Sequence, residues 1–520
     1  MKMKKLLSIL LTLVLVFSVV AFSACGGDED PGTGSGGGNG GGGNGGGYST
    51  TDPQGRELIE IGAGEHGFGL VSLEKAVEGF NKTNSQYFAK IKDRSPNFDT
   101  LAEQQIDTDS VENDLLFISE IYWKHNAIKG KFVALDDVVQ APFNDDYTIE
   151  EAMDDDARNN CYALGPDGQK HYYTINASAS ASSIIVNMSV AKYYEAMSGW
   201  KKKVKKINQV TTMDQLNDWV KEIERLSSIE SNYYPYKDGS GSGPVKGWVY
   251  PGQYMQYWDA ILQSWWVQYS GIDIFRSFFE FESPSVFSDK GRLAALQTFY
   301  DMDLKAHSLD CASDDHIQSQ TKFLAGRAAL IPNGTWISYE SAGVMKAYGT
   351  EIKMIYTPTC DGANYSNVIN NSASGLNCIP ASRCDGQEVN VAGAKEFLKY
   401  YFQMDHGPTW FTSETGSLWG FDGVDGPDSY ATALYDDLDA FSQNCIDLIN
   451  NATAIVTCRP NNFEAPNYLM YTSGTARIWN SGSFSWTKLM DKEITPQAIF
   501  DNEVSYAQAN FQNWLDKIEF

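Results

Sequence analysis

The run Gly62-Ala63-Gly64-Glu65-His66-Gly67 has the GxGxxG spacing that lets a turn of backbone approach a pyrophosphate. It follows the strand-like Leu58-Ile59-Glu60-Ile61 and precedes a segment of helical spacing. Asp93 lies near the end of a second strand-like run, where a dinucleotide's ribose would be held. Glu65 works against that chemistry, because it puts negative charge inside the turn meant to cradle phosphates. The simpler reading is a glycine-rich loop after the first strand that brings backbone close to a ligand of another kind. No HExxH, GxSxG or P-loop spacing occurs, and none of the six histidines forms an i, i+4 metal pair. The runs at 154–156 and 314–315 are acidic but lack the EF-hand pattern and read as solvated faces. A carboxylate pair for glycoside hydrolysis needs only two acids far apart in sequence, and nothing here selects such a pair. No metal and no cofactor is expected.

The N-terminus carries a different chemistry. Lys2, Lys4 and Lys5 precede an apolar run over residues 6–20, and Phe22-Ser23-Ala24-Cys25 follows. A charged start, an apolar core and small residues at the cut are the parts of an export signal. The tetrapeptide resembles the bacterial lipobox, which implies cleavage after residue 24 and lipid on Cys25. Two acyl chains suffice for stable anchoring where one does not. An uncleaved span over residues 6–24 is the other reading, and both place the rest of the chain outside the cell. That location weakens the dinucleotide reading, since NAD is scarce there. Residues 26–47 hold 14 glycines in 22 positions. Such a segment has no core to bury and acts as a flexible tether of roughly 25 Å root-mean-square span. Its composition points to a Gram-positive surface.

The chain has 520 residues, with 40 basic and 66 acidic side chains and a net charge of −26. Loss of the leader lysines would make it three units more negative. This balance argues against a nucleic-acid partner. Residues 201–206 form a basic run that reads as a solvated helix end or loop. The residues beyond the linker are too many for one core, so two lobes are expected. Seven cysteines remain besides Cys25, an odd number. Cys378 and Cys384 could form a local disulfide, and several buried free thiols would serve as well.

The elements that must position any site alternate between strand and helix. Leu58-Ile59-Glu60-Ile61 and residues 88–91 read as strands, and Leu115-Leu116-Phe117-Ile118 as a buried parallel strand. Residues 172–175 and 184–186 are further strands. Leu70, Leu73, Val77 and Phe80 have helical spacing. Thr212 and Gln215 make a capping box that opens a helix burying Met213, Leu216, Trp219, Val220 and Ile223. Leu293, Leu296, Phe299 and Tyr300 repeat the pattern, as do Ala394, Phe397, Leu398 and Tyr401. Such alternation means α/β layers around mostly parallel sheets.

Between residues 320 and 339, Thr321-Lys322-Phe323-Leu324-Ala325-Gly326-Arg327-Ala328-Ala329-Leu330 leads to Asn333-Gly334-Thr335-Trp336. This resembles the family 1 extracellular solute-binding proteins of sugar ABC transporters, the maltose-binding type, in which F-x-x-G-[KR]-A-A feeds a short strand and then G-x-W. Phe323 would pack the helix, Gly326 cap it, and Trp336 emerge beyond the strand. Other pieces fall in the family's order. Asp114-Leu115-Leu116-Phe117 and Ala134-Leu135-Asp136-Asp137 resemble D-[LV]-x-F and L-x-x-L-D-D. Residues 167–187 resemble the first crossing between lobes, with Ile175-Asn176 where proline is usual and Val186-Asn187 for Tyr-Asn. Residues 213–219 resemble the T-W-D-E-L helix without its usual tryptophan, and 354–380 the return crossing. Residues 394–402 match A-x-x-F-L-x-Y, and Thr415-Gly416-Ser417 an x-T-G turn lacking its proline.

The resemblance implies a two-lobed, type II periplasmic-binding-protein-like α/β fold, each lobe a mostly parallel sheet flanked by helices, with the ligand cleft between. Lobe 1 would comprise residues 53–178 with 370–430, and lobe 2 residues 179–369 with 431–520. Ligands of such folds lie at the carboxyl ends of strands, which points to Glu65 and His66, to Ser119, Glu120 and Trp123, and to Trp336. Ser178 and Ser180 would lie near the hinge. Sugars need an aromatic face and acids or amides that accept from hydroxyls, and Trp336 is the leading aromatic. The aromatic segment 248–266 would supply one or two more, with Trp248 and Trp258 foremost, although Tyr254, Tyr257, Trp258 and Ile261 also fit one core-facing helix side. The function implied is a monomeric, lipid-anchored receptor that hands a carbohydrate to a membrane permease and does no chemistry. A surface enzyme acting on polysaccharide, or a receptor for a peptide, are the alternatives.

Overall fold

The computed structural model describes residues 51–518 except 53, 66–67, 96, 119–122, 154–157, 159–160, 176–177, 256, 280–282, 375, 418–433 and 457–484. The leader, Cys25 and the glycine linker lie outside the described residues, and Thr50–Phe520 forms a compact unit of its own. No helix among the described residues is long and apolar enough to cross a membrane.

Strand β1 (Glu57–Gly64) buries Ile59, Ile61 and Ala63 completely. Strands β2 (Tyr87–Ser95) and β3 (Leu115–Ile118) pair with it in parallel, one on each side, and every residue of β3 is buried. The Val71–Thr83 helix turns Leu73, Ala76 and Phe80 inward, as the spacing of its apolar residues predicts. The Phe98–Asp107 helix contributes Phe98, Ala102 and Ile106. Gly62 explains how closely that helix packs: a Cβ there would come within 2.2 Å of the Phe98 ring. The first glycine of the GxGxxG run is therefore a packing glycine. The Leu376–Cys378 strand completes this layer from far along the chain.

A short hairpin, β4 (Tyr162–Leu164) and β5 (Lys170–Tyr172), precedes β6 (Ser178–Asn187), which is longer than the Ile184–Val186 core of apolar residues alone suggests. A second small hairpin, β7 (Tyr234–Pro235) with β8 (Ser242–Gly243), leads to β9 (Lys246–Trp248). Then come β10 (Ala328–Gly334), β11 (Ile352–Ile355) and β12 (Val368–Ser374). β13 (Leu376–Cys378) pairs antiparallel with β3, and β14 (Ala454–Val456) pairs parallel with β12. The first sheet runs β13-β3-β1-β2; the second runs β14-β12-β6-β10-β9, with β11 also on β6.

The second sheet is mixed, not mostly parallel. β6 runs antiparallel to β10, β11 and β12, and only β9–β10 and β12–β14 are parallel. The reason is the route of the chain. β6 carries it out of the first layer, whereas β12 carries it back and meets β13 after a single intervening residue. Strands leaving and returning must oppose each other.

Each sheet has its own core. Around the first, Phe80, Phe117, Phe397 and Tyr401 interlock edge to face. The Val391–Tyr401 helix supplies the last two, with Ala394 and Leu398. Around the second, the Met213–Ser227 helix buries Leu216, Trp219, Val220 and Ile223. Thr212 caps it by accepting from the Gln215 N–H, while the Gln215 side chain accepts from the Thr211 N–H, one residue earlier than a capping box requires. The Tyr257–Ser270 helix buries Trp258, Trp265 and Trp266, and the C-terminal Trp486, Leu489 and Phe500 pack on the same core. All six described cysteines are free thiols, so the local Cys378–Cys384 disulfide does not form. Cys378 is buried on β13 while Cys384 sits on the surface.

Candidate functional site

The site is built at the end of β10, where the two layers meet. Every residue of β10 is buried, and the strand is fed by the His316–Leu324 helix. That helix begins with a complete capping box between Asp315 and Gln318. It ends at Gly326, whose φ of +85° is the left-handed turn that glycine tolerates best. Beyond Gly334 the chain turns and presents Trp336, half-buried, to the junction. Gly334 makes that placement possible, since the indole ring lies against its Cα with no room for a side chain between.

Two rings hold Trp336 from opposite layers. Tyr257, at the start of the long aromatic helix, meets it edge-on with centroids 5.9 Å apart and planes at 73°. Phe68, in the turn after β1, meets it at 6.5 Å and 83°, and itself packs against Phe411 of the first core. Close by, the Ser417 hydroxyl is 2.8 Å from the Thr335 hydroxyl, and both residues are buried. Gly69, with φ of +63°, lets the Tyr339 hydroxyl approach the backbone of the first layer.

An acid stands beside the aromatic corner. Glu340 lies one helical turn after Trp336, and its N–H donates to the Trp336 carbonyl (2.9 Å). Its carboxylate is only 11% exposed. The Gln320 amide donates to it at 2.5 Å, and the Ser341 hydroxyl donates to the Gln320 carbonyl oxygen at 2.6 Å. The His316 imidazole is 4.0 Å away and stacks edge-on against the exposed Tyr254, at 5.7 Å. Burial raises the Glu340 pKa above the usual carboxylate range, against the Gln320 hydrogen bond and the charge of His316. The Tyr257 hydroxyl is pushed up by burial first and by the Glu340 charge second. The cluster thus sets flat apolar rings beside a carboxylate and an imidazole, with the Gln320 amide buried behind them, the pairing that a polyhydroxylated ring needs.

The residues expected from sequence are dispersed. Trp336 is at the junction. Glu65 is not free to read a ligand alone: Arg94 donates to it at 2.8 Å and to Glu74 at 2.7 Å. Trp123 is in the first layer's core. Trp248 and Trp258 are each 1% exposed, packed on one another at 5.4 Å in the second core. Ser180 is buried on β6, beside Ser372 of β12. His66, Ser119 and Glu120 lie outside the described residues. Sequence reasoning missed Tyr257 as a site residue by assigning it to a core face, and missed Glu340 and Phe68. Glu340 had a usable signal, its i+4 spacing from Trp336, which puts both on one helix face.

The arrangement defines a class of fold: two α/β layers joined by crossing strands, as in the periplasmic-binding-protein-like sugar-binding proteins. Among solved structures, the chain is similar to the GacH receptor of Streptomyces glaucescens, which has been described both unliganded and with acarbose. The TM-score is 0.60 at 13% identity, covering 88% of this chain and 98% of that one. It is similar also to the cyclic alpha-maltosyl-1,6-maltose binding protein of Arthrobacter globiformis, with TM-score 0.57, 16% identity and coverage of 88% and 100%. A third is the maltose/maltodextrin-binding domain MalE of Bdellovibrio bacteriovorus bound to maltotriose, with TM-score 0.55, 15% identity and coverage of 88% and 100%. At these identities the likeness is one of fold. No family model and no curated protein matches the sequence.

Proposed function

We propose that this chain is a solute-binding receptor of an ABC importer, which takes a carbohydrate or oligosaccharide between two lobes and passes it on unchanged. The observation that carries this is the Trp336–Tyr257 corner with Glu340 beside it, set where the layers meet. The solved structures of the same fold support it, since their ligands include acarbose and maltotriose. In this reading lobe 1 is residues 53–178 with 370–430, lobe 2 is 179–369 with 431–520, and the crossings near β6 and β12 serve as hinge. A sugar lies with its C–H face on Trp336 while Glu340, held from behind by the buried Gln320, accepts from its hydroxyls. Phe68 belongs to the first lobe and already meets Trp336 edge-on, so opening of the lobes would part the two rings. The closed form is the one a permease reads. In this reading Glu65, His66, Ser119 and Glu120 are the first lobe's contribution to the cleft, whereas Trp123, Trp248 and Trp258, each 1% exposed, stay in the cores behind it. Lipid on Cys25 and the glycine tether keep the monomeric receptor near its permease at high effective concentration.

The test is tryptophan fluorescence and melting temperature against a panel of oligosaccharides. A ligand that raises the melting temperature with concentration and is recovered intact supports the reading. Trp336→Ala should abolish the fluorescence response, and Glu340→Gln should weaken binding by about tenfold, the loss of one charge-assisted hydrogen bond. Steady release of a cleaved product would sink it.

A further inference from the structure

Residues 201–206 place five lysines in six positions of a chain whose net charge is −26. Lys201, Lys202, Lys203, Lys205 and Lys206 are all exposed, while Val204 and Ile207 are buried as two apolar pegs. The backbone is pinned at Lys201, Val204 and Ile207. Trp200 Nε1 donates to the Val204 carbonyl (3.1 Å), and the Val204 N–H donates to the Lys201 carbonyl (2.9 Å). The buried Glu222 carboxylate accepts from the Lys201 N–H (2.8 Å), and Glu195 accepts from the Ile207 N–H (2.7 Å) and from Trp219 Nε1 (2.8 Å). Only Lys201 has an acidic partner, Glu222 at 3.4 Å; Lys202, Lys203, Lys205 and Lys206 have none among the described residues. Many cations elsewhere are answered, for example Lys322 by Asp314, Arg292 by Glu503 and Arg327 by Asp238. Like charges this close repel one another, and the pinned turn cannot spread them apart. A mere connection between helices has no need of that arrangement.

We propose that this turn is a docking surface for anionic lipid head groups. The choice of occupant rests on the anchor reading above, in which Cys25 and a tether of roughly 25 Å hold the domain within reach of a bilayer. The acidic body is repelled by an anionic surface, so the lysine turn decides which side faces it. Each lysine held near such a surface is worth about fivefold in partitioning. Four unpaired lysines are enough to orient a tethered domain without binding it tightly.

The experiment uses Thr50–Phe520, which forms its own compact unit and carries no lipid. It is sedimented with vesicles of phosphatidylglycerol and phosphatidylcholine in equal parts, and with phosphatidylcholine alone. Binding to the anionic vesicles only, lost in 0.5 M salt, is expected. The variant Lys202→Gln, Lys203→Gln, Lys205→Gln, Lys206→Gln should fall by about tenfold or more, with an unchanged melting temperature. A control carrying Lys90→Gln and Lys346→Gln should not fall. No binding to anionic vesicles, equal binding by the fourfold variant, or binding to soluble polyphosphate without vesicle binding would each overturn the proposal. Palmitate labelling of the whole chain, with Cys25→Ser as control, tests the anchor separately, so the two can fail independently.

Discussion

Gly334 and Trp336 are in contact through the face of the indole: a Cβ built on Gly334 would lie 2.1 Å from the ring's Cζ3. The glycine is needed for space, and its side-chain-free surface is one wall of the aromatic corner. Gly334→Ala must therefore displace Trp336. Overpacking of this kind costs about 1–3 kcal/mol, and sugar binding should weaken by about tenfold or more. In a Trp336→Ala background the same change should cost almost nothing, and a double-mutant cycle on thermal unfolding reads the coupling directly.

Arg383 ties the loop after β13 to the first sheet. Its guanidinium is 3.1 Å from Asp114, 2.8 Å from Glu60 and 2.6 Å from Asp385, and its side chain is 3% exposed. Asp114 is buried as well, and accepts from the Glu60 and Asn390 N–H groups at 2.8 and 2.9 Å. Burial alone would lower the Arg383 pKa, but its three carboxylate partners outweigh that and raise it. Arg383→Met leaves a buried carboxylate without its cation, so urea unfolding should show a loss of about 3–5 kcal/mol. Replacing Arg383 and Asp114 together by apolar residues should recover part of it.

His171 on β5 sits between two carboxylates, 3.1 Å from Asp167 and 2.6 Å from Asp136. Hydrogen bonds to Asp167 first and Asp136 second raise its pKa above the ordinary 6.5. A cation favoured by the fold stabilises it below the unfolded pKa, and that contribution is lost as pH rises through the raised folded value. The stability difference between the wild type and His171→Asn should accordingly be largest below about pH 6.5 and shrink toward alkaline pH. A difference that grows with pH would contradict the assignment.

The thiols should differ sharply in reactivity. Cys384 is exposed, whereas Cys161, Cys311, Cys360, Cys378 and Cys445 are buried. Burial pushes the Cys311 and Cys360 thiols up to about 11 and about 12, far from the thiolate that reacts. Brief labelling of the native protein at neutral pH, read by peptide mass, should modify Cys384 and leave those five untouched until denaturant is added.

Much of the scaffold is legible in the sequence alone. The apolar spacing of Leu73 and Phe80, of Leu216, Trp219, Val220 and Ile223, and of Ala394, Phe397, Leu398 and Tyr401 marks helices that exist with those faces buried. Local periodicity reports burial because each such residue needs a partner surface whatever that surface is. Gly326 as a helix stop and Trp336 as a projecting ring were also local facts, set by a left-handed φ and by a strand's end.

What sequence alone determined, then, is the alternation of strands and helices, the acidic balance with its basic run at residues 201–206, and the aromatic residue that follows Gly334. Only the tertiary structure decided that the second sheet is mixed, that Gly62 makes room for Phe98, and that Trp248 and Trp258 pack into a core. It also decided that Glu65 is matched by Arg94, and that Glu340 and Tyr257 flank Trp336. The division has a physical cause. Helical and strand periodicity act over a few residues, but which ring meets which, and which acid finds a cation, depend on contacts between segments such as Tyr257 and Trp336 that no local spacing encodes.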